Sequence, residues 1–195
     1  MVKKGLRVLA LLFSLSLFVV MFSGCDSKED EELPAELQAV ADNAVAFAKK
    51  CARQLNGEWG DKHALLIESG EGEEFPDFEE MQAVLRGFVV DSGISYIYAM
   101  YPPGPKFIAP YVITVDGSLD VTAYGTPYEW EEAFTIAWEG EAAVSLYAWT
   151  DHLGSLVMSA YSPVYNSERK VTAIIGVDYP APEAALFPDW IRDEE

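Results

Sequence analysis

The stretch EAAVSLYAWTDHLGSLVMSAYSPVYNSERKVTAIIGVDY, residues 141–179, decides the fold. It contains three runs rich in apolar, aromatic and β-branched residues, and two short polar connectors, residues 151–154 and 167–170, separate them. This spacing is typical of three consecutive antiparallel strands joined by tight turns. The rest of the chain is therefore expected to be arranged around a sheet that these strands form.

The last run has two largely apolar faces. Alternation along a strand predicts that Val171, Ala173, Ile175 and Val177 share one face, whereas Thr172, Ile174, Gly176 and Asp178 share the other. Both faces are expected to be covered, which leaves Asp178 at the end of a covered strand. A buried carboxylate requires a partner. That partner is either a set of backbone N–H groups in a turn or a bound ligand.

Two helices are predicted ahead of the sheet. Residues 37–55 carry apolar side chains at three- and four-residue spacing, which is typical of a long amphipathic helix. A second helix begins near residues 76–77, where Asp77 and Glu80 have the spacing of a capping box. Residues 58–75 between them are polar and rich in glycine, so we expect a loop there, with a short extended segment at residues 64–67.

Further strands are predicted at residues 94–101 and 107–115, followed by a loop and a short helix over residues 125–138. With the three strands of residues 141–179 they give an α+β fold. Its expected centre is one antiparallel sheet of five or six strands, backed by the long N-terminal helix. The sequence shows no internal repeat.

An ordered series of motifs runs through this layout: YIYAMY (Tyr96–Tyr101), ITVDG (residues 113–117), DHLGSLVMSAYSPVYN (residues 151–166) and AIIGVDY (residues 173–179). The series resembles the extracellular Cache sensor domains, which have a PAS-like fold, and the resemblance covers residues 37–178. It implies that the long helix packs on one face of the sheet. It also implies that a loop and short helix, residues 117–140, cap the other face, with a small ligand bound between.

The N-terminus has the pattern of an export signal. A basic segment, MVKKGLR, precedes an apolar run over residues 8–22 that is short for a membrane span. The following Phe22-Ser-Gly-Cys25 resembles a bacterial lipobox, with Phe22 in the usual aliphatic position. By this resemblance residues 1–24 are a lipoprotein signal peptide, and Cys25 carries the acyl chains that anchor the protein. The alternative is an ordinary secretory signal or an N-terminal membrane anchor.

The predicted organisation follows from these boundaries. Residues 25–36 form an acidic linker, residues 37–180 form the Cache-like domain, and residues 181–195 form a C-terminal tail. We expect the linker to hold the domain away from the membrane, because a segment this polar does not pack.

Composition and motifs exclude several functions. The chain has 195 residues with 13 basic and 32 acidic side chains, a net charge of −19, and removal of the signal makes it −22. Such a surface repels nucleic acids and anionic lipid head groups. The sequence has two histidines, His63 and His152, and lacks the motifs of hydrolases, metalloproteases and phosphate-binding loops. We therefore expect neither an enzyme nor a cofactor or metal site.

The residues favour a binding module. Residues 107–168 contain no Lys or Arg, but they contain three of the five tryptophans and six tyrosines. The resemblance places Asp178 where amino-acid-binding Cache domains hold the ligand's ammonium group. The Arg that grips the ligand's carboxylate in those domains is absent near residues 128–130, where Glu129 stands. Aromatic faces beside an acid attract ammonium ions by about 0.5–2 kcal/mol per contact.

The predicted ligand-binding residues are Tyr98, Tyr128, Trp130, Trp138, Tyr147, Trp149, Tyr161 and Asp178. The sequence therefore predicts a membrane-anchored, extracytoplasmic sensor lipoprotein that holds an amine or a neutral metabolite, with a small carboxylate as a further option. Transmembrane Cache receptors signal through a helix that enters the cytoplasm. Since none follows in this sequence, we expect the signal to pass to a membrane receptor or kinase partner. The alternative is a structural or interaction lipoprotein whose PAS-like core is filled with side chains.

Overall fold

The computed structural model describes residues 32–101, 108–114, 126–127, 131–151 and 153–192, with residues 108–114 and 126–127 described by their backbone alone. From Leu33 onward the described residues belong to one compact unit. The predicted signal peptide with Cys25, and the predicted ligand-binding residues Tyr128 and Trp130, lie outside the described residues.

Three helices precede the first strand, and a fourth helix lies between the third and fourth strands. The helices are α1 (Ala35–Leu55), α2 (Glu58–Ser69), α3 (Phe78–Val89) and α4 (Glu132–Trp138). The strands are β1 (Tyr96–Tyr101), β2 (Ile108–Thr114), β3 (Thr126–Pro127), β4 (Ala143–Thr150), β5 (Leu156–Tyr165), β6 (Val171–Pro180) and β7 (Ile191–Arg192). Short 3-10 turns occur at Gly72–Glu74, Pro182–Leu186 and Pro188–Trp190.

In the described part of the chain the strands form one sheet in the order β3-β2-β1-β6-β5-β4-β7. Every neighbouring pair is antiparallel except β4 and β7, which are parallel. Strands β3 and β7 are two-residue edge strands, and the other five contain six to ten residues each. The predicted α+β fold with an antiparallel sheet is therefore confirmed, and the five long strands agree with the expected five or six.

Helix α1 covers one face of the sheet. Its buried stripe is the one that the spacing predicts: Leu37, Val40, Ala41, Ala44, Ala48, Cys51, Ala52 and Leu55. Ala44, Ala48 and Cys51 belong to the same core cluster as Ile175 and Val177 of β6. The small side chains of α1 let the helix approach the sheet closely. Burial in this layer raises the pKa of the Cys51 thiol to about 12, so the cysteine is a structural apolar residue.

Helix α4 packs on the opposite face. Ala133, Phe134 and Ala137 of α4 form a second core cluster with Tyr96, Tyr98 and Met100 of β1, Tyr161 of β5 and Ile174 of β6. The alternation predicted for β6 is thus confirmed, since Ile175 and Val177 belong to the α1 side. Strand β1 alternates in the same way, with Ile97 and Ala99 on the α1 side. Asp178 shares its side of β6 with Ile174, so its side chain lies on the α4 side of the sheet.

The loop predicted for residues 58–75 is wrong in its first two thirds, which form α2, and the extended segment predicted at residues 64–67 lies within this helix. The buried residues of this helix, Gly60, His63 and Leu66, make a narrow stripe that is weak as a sequence signal. Its glycine is a packing residue, because a Cβ at Gly60 would lie 2.3 Å from the carbonyl oxygen of Tyr165. Gly57, with φ of 83°, supplies the left-handed backbone that separates α1 from α2.

The capping box predicted for α3 gives the start of the helix correctly, but the capping hydrogen bond of Asp77 does not form. Asp77 occupies the N-cap position without a side-chain capping hydrogen bond. Instead, Lys62 Nζ lies 3.5 Å from Asp77 Oδ2 and 2.7 Å from Glu80 Oε2. These ion pairs of Lys62 join α2 to α3.

The segment after β6 packs against the N-terminal part of α1. Ala181 and Ala184 are buried against Leu37 and Ala41, and β7 then pairs with β4. None of the helices in the described residues is long and apolar enough to cross a lipid bilayer.

Candidate functional site

The carboxylate of Asp178 is the centre of a polar group on the α4 side of the sheet. Strand register places Asp178 between Tyr96 of β1 and Ser159 of β5. Asp178 Oδ1 accepts hydrogen bonds from the Tyr98 hydroxyl at 2.8 Å and from the Ser159 hydroxyl at 2.7 Å. Its partners are therefore side-chain hydroxyls from two neighbouring strands, and not the turn N–H groups of the simpler sequence interpretation.

Burial dominates the electrostatics of this carboxylate. The pKa of Asp178 is raised from 3.8 to about 7, chiefly because burial removes the water that would solvate the charge. The Ser159 and Tyr98 hydrogen bonds lower the pKa, and the charges of Glu131 and Asp151 raise it. Asp178 nevertheless keeps part of its surface exposed. The carboxylate is poorly hydrated, but its exposed part is accessible to a ligand. Its charge changes near neutral pH.

Gly176 determines where Tyr98 lies. A Cβ at Gly176 would lie 2.1 Å from Cε2 of Tyr98. The Tyr98 ring therefore lies directly over the backbone of β6, with its hydroxyl at Asp178. The same glycine pairs across the sheet with Tyr161 of β5, and the centroids of the Tyr98 and Tyr161 rings are 6.4 Å apart.

A second carboxylate, Glu131, lies at the start of α4. The Tyr161 hydroxyl donates a hydrogen bond of 2.5 Å to Glu131 Oε1. Burial, followed by the charge of Glu131, raises the pKa of Tyr161 well above its usual value, so the phenol stays protonated as a donor. Phe134 packs edge-on against Tyr161 with ring centroids 4.7 Å apart. Helix α4 thus brings one acid and one aromatic ring to the site.

The predicted ligand-binding residues divide into groups. Tyr98, Tyr161 and Asp178 lie together in the site, and half-buried Trp138 packs against the same aromatic cluster at the end of α4. Tyr147 and Trp149 lie on β4, two strands from Asp178. The remaining two predicted residues are outside the described part of the chain.

Tyr147 and Trp149 already contact a cation of the same chain. The guanidinium carbon of Arg192 lies 4.7 Å from the Tyr147 ring centroid and 5.7 Å from that of Trp149. Trp149 Nε1 also donates to Ser145 Oγ at 3.1 Å, and Trp190 packs beside Tyr147 at 6.4 Å between centroids. These two rings therefore form a contact between β4 and β7.

Sequence reasoning missed two residues of the site. Ser159 alternates with Tyr161 on β5, so a shared face was a usable signal, but a serine in a strand rarely attracts notice. Glu131 was visible only as one of three acids in residues 129–132. Among the described residues, no group of three His, Cys, Asp or Glu side chains has a geometry that could hold a metal ion.

Comparison with known proteins gives similarity of fold alone. No protein-family model and no curated protein matches the chain. Among solved structures, the ligand-binding domain of the Campylobacter jejuni chemoreceptor Tlp3 in complex with 4-methylisoleucine matches with 13% identity and a TM-score of 0.43. Methyl-accepting Chemotaxis protein X matches with 14% identity and a TM-score of 0.43. The periplasmic sensory domain of the C. jejuni chemoreceptor Tlp1 matches with 11% identity and a TM-score of 0.39.

These matches cover 75%, 80% and 78% of this chain, respectively. The chain spans only 61% of the Tlp3 domain and 64% of each of the other two. The names of all three describe sensory or chemotaxis proteins.

Replacing Asp178 by Asn tests the energetic cost of the carboxylate. A folded-state pKa of about 7 against 3.8 when unfolded means that Asp178 contributes stability while protonated, below about pH 4. That contribution is lost as pH rises through 7. Between pH 5 and pH 8 the ionisation of Asp178 should lower the free energy of unfolding of the wild type by about 2–3 kcal/mol. The Asp178→Asn variant should not show this decrease. Urea unfolding at both pH values measures the difference.

Two comparisons keep this result interpretable. Buried His63, with its pKa lowered to about 4 because burial disfavours the charged ring, gains stability over the same window, but it does so equally in wild type and variant. Exposed Asp42 on α1 provides the matched control, and Asp42→Asn should leave the pH dependence unchanged. A pH dependence identical in wild type and Asp178→Asn would show that the carboxylate is solvated.

Proposed function

We propose that this protein is an extracytoplasmic, lipid-anchored sensor that binds a small ammonium-bearing ligand at Asp178 and signals through a partner protein. The ligand occupies the α4 side of the sheet, where the sequence places the aromatic cap. An amine, or the ammonium group of a larger metabolite, is the chemistry that this site fits best.

One observation carries the proposal: a partly exposed carboxylate is kept desolvated among tyrosine rings. Among the described residues, no Lys or Arg lies within ion-pair distance of Asp178. Two hydroxyl donors hold the carboxylate in place but do not neutralise it. A bound ammonium would supply the missing charge and recover the desolvation cost. Perturbed acids of this kind are concentrated at functional sites.

Glu131 strengthens the preference for a cation. It contributes a second carboxylate on the same side of the sheet, joined to the site through the Tyr161 hydroxyl. Its negative charge is one of the causes that raise the pKa of Asp178, so the two acids repel each other across the site. A cation placed between them relieves that repulsion, whereas a dicarboxylate would increase it.

The close packing of α4 favours a second candidate, a structural or interaction lipoprotein with a filled core. Phe134 and Tyr161 are almost wholly buried and in direct contact. In the described residues no buried side-chain nitrogen or oxygen lacks a hydrogen-bond partner. In that case the tyrosines and Asp178 would serve the fold alone, and no small cation would bind.

The two candidates differ in their response to choline, a permanent cation. Because ammonium binding requires ionised Asp178, the affinity for choline should rise about tenfold per pH unit up to pH 7 and then level off. Asp178→Asn should weaken binding and abolish the slope. Isothermal titration from pH 5.5 to 8.5 measures this, with tyramine as a second amine, succinate as an anionic comparator and Asp42→Asn as the matched control.

Glu131→Gln should weaken choline binding less than Asp178→Asn, since Glu131 acts from the edge of the site. Tight succinate binding that Asp178→Asn leaves unchanged would contradict the ammonium assignment. Absence of binding by both amines and succinate would favour the filled-core candidate.

The proposed anchor is tested separately at Cys25. Multiple acyl chains hold a protein stably on a membrane, whereas loss of the acylated residue removes them together. Cys25→Ser should move the protein expressed in bacteria from the detergent phase to the aqueous phase in Triton X-114 partitioning. Cys51→Ser, which alters the buried thiol of α1, should not change the partitioning. A Cys25→Ser protein that stays in the detergent phase would show that a part of the chain other than Cys25, such as the apolar run of residues 8–22, is enough to hold it there.

A further inference from the structure

A groove of about 790 Å³ lies among α1, α2 and α3. Several of its residues pack on the core cluster of the α1 side, so it is on the opposite side of the sheet from Asp178. It is lined by Phe47, Lys50, Gln54, Trp59, Val84, Gly87, Phe88, Val90, Asp91 and Ser92. Its volume falls within the usual range for a small-molecule site.

The walls of the groove are apolar and polar in about equal measure, and aromatic rings form most of the apolar part. Phe47, Trp59 and Phe88 are each only partly buried, with one side packed on the core cluster. Val90, at the end of α3, is 61% exposed. Three aromatic rings and a valine thus border a space that the fold itself leaves unfilled. Aromatic walls with a few polar groups are the common composition of ligand sites.

Gly87 keeps this space open. Gly87 lies inside α3, where a glycine lowers helix stability by about 1 kcal/mol relative to alanine. Close packing does not require a glycine at this position, since a Cβ there would have no atom within 4 Å. Gly60 is the contrasting case, because the carbonyl of Tyr165 leaves no room for a side chain. Without a turn, a positive φ or a close contact to require it, Gly87 leaves room for an occupant of the groove.

The charge at the groove is also unusual for this chain. Lys50 lines the groove, with Nζ 5.5 Å from the Phe47 ring centroid, and Lys49 and Arg53 occupy exposed positions nearby on α1. Among the described residues Lys50 has no ion-pair partner, whereas Lys62 contacts three carboxylates. A cationic edge on a protein of net charge −19 selects an anionic group.

We propose that this groove is a second ligand site, for a small molecule with an aromatic or branched apolar body and one carboxylate group. The apolar body lies between Phe47, Trp59 and Phe88, over Gly87. The carboxylate pairs with Lys50. Asp91, in the same lining, repels it and so fixes the orientation of the ligand. The site does not depend on Asp178, and it is independent of the proposed amine site.

The probe is 1-naphthylacetate, with the neutral 1-naphthylacetamide as its matched comparator. The carboxylate should bind about tenfold more tightly than the amide, because a hydrogen bond to a charged group is worth more than one to a neutral group. Lys50→Gln should remove this preference and leave amide binding unchanged. Quenching of tryptophan fluorescence and isothermal titration measure both affinities.

Gly87→Leu separates binding from folding. Leucine is a better helix former than glycine, and its side chain would project into the groove. The variant should unfold at the same or a higher urea concentration than wild type and yet bind both probes at least about tenfold more weakly. Ala83→Leu, at an exposed position of α3 outside the groove, is the matched control and should bind as wild type does.

Asp178→Asn should bind both probes as wild type does, which distinguishes this site from the amine site. Equal affinities for carboxylate and amide, or unchanged binding by a stable Gly87→Leu variant, would overturn the proposal. So would the absence of binding by wild type at millimolar probe, and so would a loss of binding in Asp178→Asn.

Discussion

Two hydroxyl groups, from Tyr98 and Ser159, hold one carboxylate oxygen of Asp178, and the candidate site depends on this interaction. The three residues come from β1, β5 and β6, so the interaction forms only if these strands are neighbours in the observed register. It also requires Gly176, which leaves room for the Tyr98 ring. The carboxylate is thereby held where water solvates it poorly. A protein that retains such an acid at a cost in stability is expected to use its charge.

The far end of β5 joins the helices on both faces to the sheet. The backbone N–H of Tyr165 donates to Asn56 Oδ1 at 2.8 Å, and its carbonyl accepts from the N–H of Gly57 at 2.7 Å. Its hydroxyl donates to the carbonyl of Gly140, just after α4, at 2.9 Å. One residue thus joins the corner between α1 and α2 to the segment that follows α4. The helix layer on one face and the helix at the site are both tied to the same strand.

Strong periodicity made most of the fold predictable. Alternation in residues 171–179 correctly placed Asp178 on the face opposite Ile175 and Val177, and the apolar spacing of residues 37–55 correctly predicted α1. Helix α2 was missed because a glycine in a polar segment is a local signal for a loop. Gly60 is instead required by its close contact with the backbone of β5. Glu131 could not be predicted, since only folding brings that acid to Tyr161. Composition alone could not show the contact of Tyr147 and Trp149 with Arg192, and their role in ligand binding stays a prediction.

The most direct test of this account is the pKa of Asp178, read from the ¹³C chemical shift of its carboxyl carbon as pH is varied. The account predicts a midpoint at about pH 7 in the free protein. It also predicts that saturating choline lowers the midpoint, because a bound cation favours the ionised acid. A midpoint near 4, which choline does not change, would show a solvated side chain and contradict the central claim.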